Sequence, residues 1–275
     1  MTMFNLEGKV AVVFGGNGVL GRQFCTALLD HGARVYSCDI GGAESDAIRG
    51  IKARFPSRFC VMTVDASSRD ALQAVRSAIL EREKGVDILV NTTTMKYHDF
   101  YQPFEEVSLE GWNIGLLGNL TIPFLTIQAF VPVMKEQRSG SIINIASVYG
   151  IVGNDQRIYE GANIDNVYVG SGGSGASRIY SHGVYNAAKG GLITFTRYLA
   201  AYYGEYNIRV NCISPGGVAN EGENEAFVRR YSDKVPLGRK ALPDEMNGAL
   251  VYLASDASSY VTGHNLVVDG GFSIW

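Results

Sequence analysis

Charge of either sign is scarce in this chain of 275 residues: 19% are Asp, Glu, Lys or Arg, where an ordinary globular sequence has about 25%. The signs nearly balance, 24 basic against 27 acidic, for a net charge of −3. That balance gives no electrostatic attraction to a polyanion, so neither nucleic acid nor an anionic membrane is expected as partner. Cysteine is sparse as well. Cys25, Cys38, Cys60 and Cys212 are scattered, with no Cys-x-x-Cys pair and no histidine at ligand spacing. A disulfide framework and a metal site are both excluded on that pattern, and reduced thiols in a cytoplasmic protein are expected. No uninterrupted apolar run approaches the roughly 18 residues of a membrane span. The stretch from Met1 to Lys9 lacks the basic-then-apolar form of a secretory signal. No repeat or heptad pattern is present. What is plentiful is apolar: 46% hydrophobic residues imply a large buried core, with surface to spare for an oligomer.

Short β-branched runs alternate with longer amphipathic segments. Strands are expected at 10–14, 33–38, 59–64, 86–90, 141–145, 208–213 and 266–268. Helices are expected at 20–29, 69–82, 112–135 and 184–203, with Pro123 and Pro132 at bends or near the end of the third. Strands that are apolar throughout, each followed by a helix, predict an α/β fold. The expected form is a single doubly wound, Rossmann-like domain with a mostly or wholly parallel sheet of about seven strands. Its ligand belongs at the carboxyl ends of those strands. The one composition break, the Gly/Ser stretch 170–177, reads as a flexible loop within the domain.

Directly after the first strand comes Gly15-Gly-Asn-Gly-Val-Leu-Gly21, in which Gly16, Gly18 and Gly21 satisfy G-x-G-x-x-G. Among 33 glycines such a match is weak by itself, but here a strand precedes it and a helix follows. Glycines let backbone amides approach a pyrophosphate, and the helix N-terminus favours the anion. Asp39 ends the second strand about 20 residues on, where a carboxylate accepts hydrogen bonds from ribose hydroxyls and repels a 2′-phosphate. With Cys38, Ile40 and Gly41 around it and no adjacent arginine, NAD is the expected cofactor. An alternative role for Asp39 is to cap a helix starting near Ala43. Asp65, with Ala66 beside it, ends the third strand, within reach of an adenine edge or as a cap for the next helix.

Tyr185-Asn-Ala-Ala-Lys189 places a phenol and an ammonium one helical turn apart. A nearby cation favours the phenolate of a group whose free pKa is near 10, so Tyr185 is a candidate acid/base. Taken in order, the Gly-rich turn, Asp39, Asn144-Ile-Ala-Ser147, Tyr185-x-x-x-Lys189 and Pro215-Gly216 resemble the short-chain dehydrogenase/reductase family from about Lys9 to Gly271. The resemblance implies hydride transfer between a nicotinamide dinucleotide and a secondary alcohol or ketone, often in a homotetramer. It implies that Ser147 polarises the substrate oxygen, Tyr185 moves the proton, Lys189 holds the ribose and lowers the tyrosine pKa, and Asn119 orders a relay water. It also implies cofactor contacts from Gly15, Asn17, Gly18, Val19, Leu20, Gly21, Asp39, Ile40, Asp65, Ala66, Asn91, Thr92, Thr93, Pro215, Gly216 and Val218, besides Tyr185 and Lys189.

Four departures stand out. Phe14 and Val19 replace the family's threonine and middle glycine in the turn. Asn91-Thr-Thr-Thr94 replaces Asn-Asn-Ala-Gly. Asn220 stands where a threonine is usual. Ser147 and Tyr185 are separated by an insertion at about 150–181. Asn154, Asp155, Gln156, Arg157, Tyr159, Glu160 and Asn163 supply it with polar groups, and Lys96-Tyr-His98 is expected to face the same cleft. The phrases Val148-Tyr-Gly-Ile-Val and Ile158-Tyr-Glu-Gly are similar to family members of bacterial sugar metabolism. A small polar substrate follows: a sugar, a polyol or a sugar-derived acid. Segment 219–234 is the expected lid, its acidic run a solvated helix face. The alternatives are a nucleotide-binding protein without turnover, its site distorted by Thr92–Thr94, and a reductase of acyl or ketone substrates.

Overall fold

The computed structural model describes residues 3–41, 45–161 and 179–275. The Gly/Ser stretch 170–177, Asn163 and Ala43 lie outside the described residues.

Seven strands form one sheet, parallel throughout: β1 (Val10–Phe14), β2 (Arg34–Asp39), β3 (Phe59–Thr63), β4 (Ile88–Asn91), β5 (Gly140–Ile145), β6 (Ile208–Pro215) and β7 (Asn265–Val268). Their order is β3-β2-β1-β4-β5-β6-β7. The chain therefore reverses direction across the sheet between β1 and β4, where Phe14 pairs with both Cys38 and Asn91. In a doubly wound sheet that reversal opens a crevice at the strand ends.

Strand side chains alternate faces. Val10, Val12 and Phe14 pack into one core with Leu72, Leu125, Phe130 and Leu199. Ala11 and Val13 pack into the other with Phe24, Leu28, Leu250 and Leu253. Every residue of β1 is buried. Two covered faces explain why the strands read as unbroken apolar runs. Helices α1 (Val19–Asp30), α2 (Asp46–Arg54) and α8 (Asn247–Ala254) cover one face. On the other lie α3 (Arg69–Leu80), α5 (Ile122–Gln137) and α6 (Gly183–Tyr203).

The expected helix over 112–135 is interrupted. It consists of α4 (Leu109–Leu116), a π-helical turn (Leu117–Thr121) and α5. Pro123 falls in the first turn of α5, directly after the π turn, while Pro132 lies inside α5. The whole run Leu109–Gln137 is long and apolar enough to cross a membrane by composition, a length the sequence reading missed. Its most apolar window is 61% buried within the fold. Helix α2 follows the expected helix start near Ala43 and α7 (Glu225–Ser232) falls within the expected lid 219–234, whereas α8 was not expected. α8 buries so much of its surface that no polar stripe marks its period. The caps also differ from expectation: Ser45 caps α2 and Ser68 caps α3, so neither Asp39 nor Asp65 does.

Candidate active site

The nucleotide end of the site is built by backbone. After β1 the chain turns at Gly15, whose φ is +77° and where a Cβ would lie 2.9 Å from the Thr92 carbonyl oxygen. A Cβ at Gly21 would lie 2.0 Å from the Gly15 carbonyl oxygen, so α1 can begin this close to the turn only with glycine there. Gly18 is the N-cap of α1 and no side chain caps that helix. In contrast, α2, α3, α4 and α7 are each capped by a serine or asparagine. The first amides of α1 are thus left to an anion.

Asp39 Oδ2 accepts the Asn17 amide at 3.0 Å, and Asn17 Oδ1 accepts the Ser37 hydroxyl at 2.8 Å. A carboxylate oxygen has more than one lone pair, so Asp39 holds the turn and still has acceptor capacity for a ribose. Ile40, 71% exposed, projects beside it. Asp65 is exposed and accepts both the amide and the hydroxyl of Ser67, which pull its carboxyl below the usual range; Ala66 next to it is buried. Phe14, in the family's threonine position, is fully buried edge-on against Phe130. Val19 opens α1 as its first residue.

After β4 the chain runs through Thr92, Thr93 and Thr94, which line the cavity described below. The Thr92 amide continues the sheet to the Phe14 carbonyl at 3.0 Å, and the Thr93 hydroxyl donates to the Gly118 carbonyl at 2.9 Å. Asn91, an expected cofactor contact, ends β4. Its side chain is buried in a network in which Nδ2 donates to Asn144 Oδ1 at 2.9 Å and Oδ1 accepts Thr126 at 2.7 Å. Those bonds use its amide below the cleft, so a cofactor would meet only its backbone.

Beyond β4, β5 and β6 opens a cavity of about 310 Å³, at the lower end of the range for small-ligand pockets. Ser147, Tyr185 and Lys189 line it together with Leu20, Thr92, Thr93, Pro215, Gly216 and Val218. Ser147 follows β5 in extended conformation, its hydroxyl accepting the Tyr149 amide at 3.2 Å. Burial pushes the Tyr185 phenol up from the ordinary tyrosine value, and a hydrogen bond with Ser147 pulls it back. Lys189 is buried, donates to the Ile145 carbonyl at 2.8 Å and holds its Nζ 5.5 Å from the centre of the Tyr185 ring. Burial lowers it to about 7. In this state desolvation governs the phenol, and the lowering expected from Lys189 is not among the causes of its shift.

Asn119 lies in the π turn, beneath the cleft rather than on its wall. Its Nδ2 donates to the Gly115 carbonyl at 2.9 Å, while its Oδ1 is buried with no partner among the described residues. Such an acceptor suits an ordered water. π turns recur where a helix must aim a functional side chain.

The insertion corrects an expectation. Among its described polar residues named above, only Tyr159 lines the cavity. Asn154 bonds Ser181 and accepts Asn186 Nδ2 at 2.8 Å, and Gln156 accepts the Ser181 amide at 2.9 Å. Asp155 holds Arg157 and Lys234, which keep its carboxyl well below the usual range. Glu160 is exposed. These groups stitch the loop to α6 and to the end of α7. Near β4, Lys96 lines the cavity, whereas Tyr97 and His98 do not.

Sequence reading also missed several lining residues: Tyr101, His182, Glu223, Tyr231 and Lys240. Glu223 is not on a solvated face, because it is buried in an ion pair with Lys240. Asn220 lines the cavity too, its amide donating to Glu223 at 3.3 Å. The Tyr231 hydroxyl accepts the Gly217 amide at 2.5 Å and so ties α7 to the turn after β6. No local pattern marks these residues, since they reach the cleft from separate stretches: the loop after β4, the start of α6, the segment around α7 and the chain beyond it.

A Gly-rich βα turn with an uncapped helix, at the reversal point of a parallel sheet, defines a doubly wound dinucleotide-binding protein. Residues 9–162 match the short chain dehydrogenase family, and residues 165–273 match the family described as enoyl-(acyl carrier protein) reductase. The chain belongs to the short chain dehydrogenase family. It is 32% identical to a D-threitol dehydrogenase of Mycolicibacterium smegmatis, over 98% of this chain and 95% of that one. It is 30% identical to a D-arabinitol 2-dehydrogenase of Scheffersomyces stipitis, over 99% and 96%. It is 29% identical to the 3-oxoacyl-[acyl-carrier-protein] reductase FabG of Thermotoga maritima, over 98% and 99%. Among solved structures, a short chain dehydrogenase of Leptospira borgpetersenii with bound NAD+ superposes with a TM-score of 0.83 at 32% identity, covering 98% of this chain and 94% of that one. The Pseudomonas aeruginosa RhlG/NADP complex superposes with 0.81 at 26%, covering 99% of each. This is an oxidoreductase fold that acts on alcohols with a nicotinamide cofactor.

Proposed function

We propose that the chain is an NAD(H)-dependent dehydrogenase that interconverts a secondary alcohol and a ketone on a small polyhydroxy substrate. The observation that carries this reading is the meeting of Ser147, Tyr185 and Lys189 on one cavity, with the cradle of α1 beside it. The bound nicotinamide supplies the hydride acceptor. The chain supplies the rest. Ser147 donates to the carbinol oxygen, Tyr185 takes its proton, and Lys189 would hold the nicotinamide ribose. A water on Asn119 Oδ1 would carry the proton onward. Segment 219–234 closes over the substrate, fastened by Glu223 to Lys240. The uncapped α1 holds the pyrophosphate, and Asp39 favours NAD through its charge.

The polyol dehydrogenases among its relatives and the small cavity support the substrate class; the FabG relatives support a reductase of acyl substrates less well. Exposed Phe124, Tyr198 and Tyr202, two of them stacked, support a homotetramer. Four free cysteines accord with the cytoplasm.

With NAD+, polyols and sugar acids should be oxidised, and NADH should not reduce an acetoacetyl thioester at a comparable rate. NADH should bind more tightly than NADPH by fluorescence titration, and Asp39→Asn should shrink that preference by about tenfold, the worth of one charged hydrogen bond. Turnover of the thioester alone, or equal affinities for the two cofactors in the unaltered protein, refutes the respective half of this reading.

A further inference from the structure

The cavity contains a second polar centre that the reaction above leaves unused. Lys96 and Tyr101 come from the loop after β4, and His182 is the N-cap residue of α6. All three line the same cavity as Ser147 and Tyr185. Lys96 Nζ donates to the Tyr101 hydroxyl at 3.3 Å, and lies 5.4 Å and 5.8 Å from the ring centres of Phe100 and Tyr101. The His182 ring is 5.5 Å from Tyr101 and 5.3 Å from Tyr185, centre to centre. A lysine amine, a phenol and an imidazole therefore gather beside the reacting tyrosine. The arrangement is fixed in place, because the Tyr180 amide bonds the Tyr101 carbonyl at 3.0 Å.

Packing alone does not account for this cluster. Burial lowers Lys96 to about 6, and burial with the nearby Lys96 holds His182 well below its usual value. His182 Nδ1 is buried with no partner among the described residues. Both are costs that an apolar side chain would avoid. Three lysines, Lys96, Lys189 and Lys240, line this described wall, and an anion placed among them favours their charged forms.

We propose that Lys96, Tyr101 and His182 form a carboxylate-binding subsite, and that the substrate is a polyhydroxy acid. This rests on the reading of Tyr185 given above. The carboxylate meets Lys96 while a carbinol meets Tyr185. The carbinol C–H and O–H bonds break, a C=O bond forms, the hydride goes to NAD+ and the proton to Tyr185. The products are an oxo acid, NADH and a proton. The anion also returns Lys96 to its charged form, which makes the contact a charge-assisted one.

Two matched pairs test the subsite, each differing only in a terminal carboxylate or hydroxymethyl group: D-threonate with D-threitol, and D-arabinonate with D-arabinitol. Rates are measured with NAD+ for the unaltered protein, Lys96→Gln and Lys96→Arg. The acid of a pair should be preferred, and Lys96→Gln should reduce the acid-to-polyol ratio of kcat/KM about tenfold or more, mainly through KM. Lys96→Arg should keep part of the preference, which shows that a loss in the glutamine variant is not misfolding. In parallel, both acids are titrated by calorimetry into Tyr185→Phe with NADH present, and into the same variant carrying Lys96→Gln. Binding of an acid that depends on Lys96, without oxidation of any probe, supports the subsite and contradicts the dehydrogenase reading. Oxidation with an acid-to-polyol ratio insensitive to Lys96→Gln overturns the subsite and leaves that reading intact. Neither oxidation nor binding overturns both.

Discussion

Tyr185 is poised by opposing effects. Burial keeps its phenol protonated, and the hydrogen bond with Ser147 offsets part of that. In the direction of alcohol oxidation the base form is the phenolate, so kcat/KM should rise with pH. Removing Ser147 removes a contact that lowers the phenol, so the rising limb in Ser147→Ala should move to higher pH. Turnover at neutral pH should fall by about 10²–10⁴, the usual range for loss of a positioned proton-transfer partner. A pH–rate profile of the two proteins decides it; a limb that stays in place separates Ser147 from the ionisation of Tyr185. The residues of this scale were readable where chemistry is local. Tyr185 and Lys189 announce themselves as i and i+4 of one helix, and Gly15 to Gly21 as one turn. Lys96, Tyr101 and His182 do not, because the loop after β4 and the start of α6 bring them together from 81 positions apart in the chain, counting from Tyr101 to His182 (182 − 101).

At the scale of elements, the segment around α7 is held by two contacts that sequence does not reveal, the Gly217 amide on the Tyr231 hydroxyl and an ion pair. Glu223 and Lys240 form a buried pair whose lysine is pushed down by burial and pulled up by its partner. Removing one member of such a pair strands the other. Glu223→Gln should therefore cost about 3 kcal/mol of stability, and adding Lys240→Met should recover most of it. Chemical unfolding of the single and double variants measures this, and a single variant as stable as the parent contradicts the buried latch. The insertion shows why polarity alone misleads. Asn154, Asp155 and Gln156 satisfy Ser181, Asn186 and Lys234, since polar groups in a covered loop must first find partners of their own. The π turn was illegible for a related reason. An apolar run such as 112–135 has the same periodicity whether or not one turn widens to admit Asn119.

For the whole molecule, the sheet was the most legible feature. Parallel strands buried on both faces carry runs such as Val10–Phe14, with no polar alternation to blur them, and all seven expected strands are present in one parallel sheet. The fold then does most of the placing. It brings the ends of β1, β4, β5 and β6 to a single crevice, and the family resemblance read from widely spaced motifs is matched by the relatives. The central claim is that this crevice exists to let Tyr185 exchange a proton with a substrate carbinol. The direct measurement is Tyr185→Phe, with NADH affinity by fluorescence and turnover of an oxidised substrate measured on the same preparation. The account predicts NADH binding within about twofold of the parent, since the lost hydroxyl is worth little to a ground-state complex, and turnover reduced by at least about 10²-fold. Turnover close to that of the parent, with NADH bound normally, would contradict it.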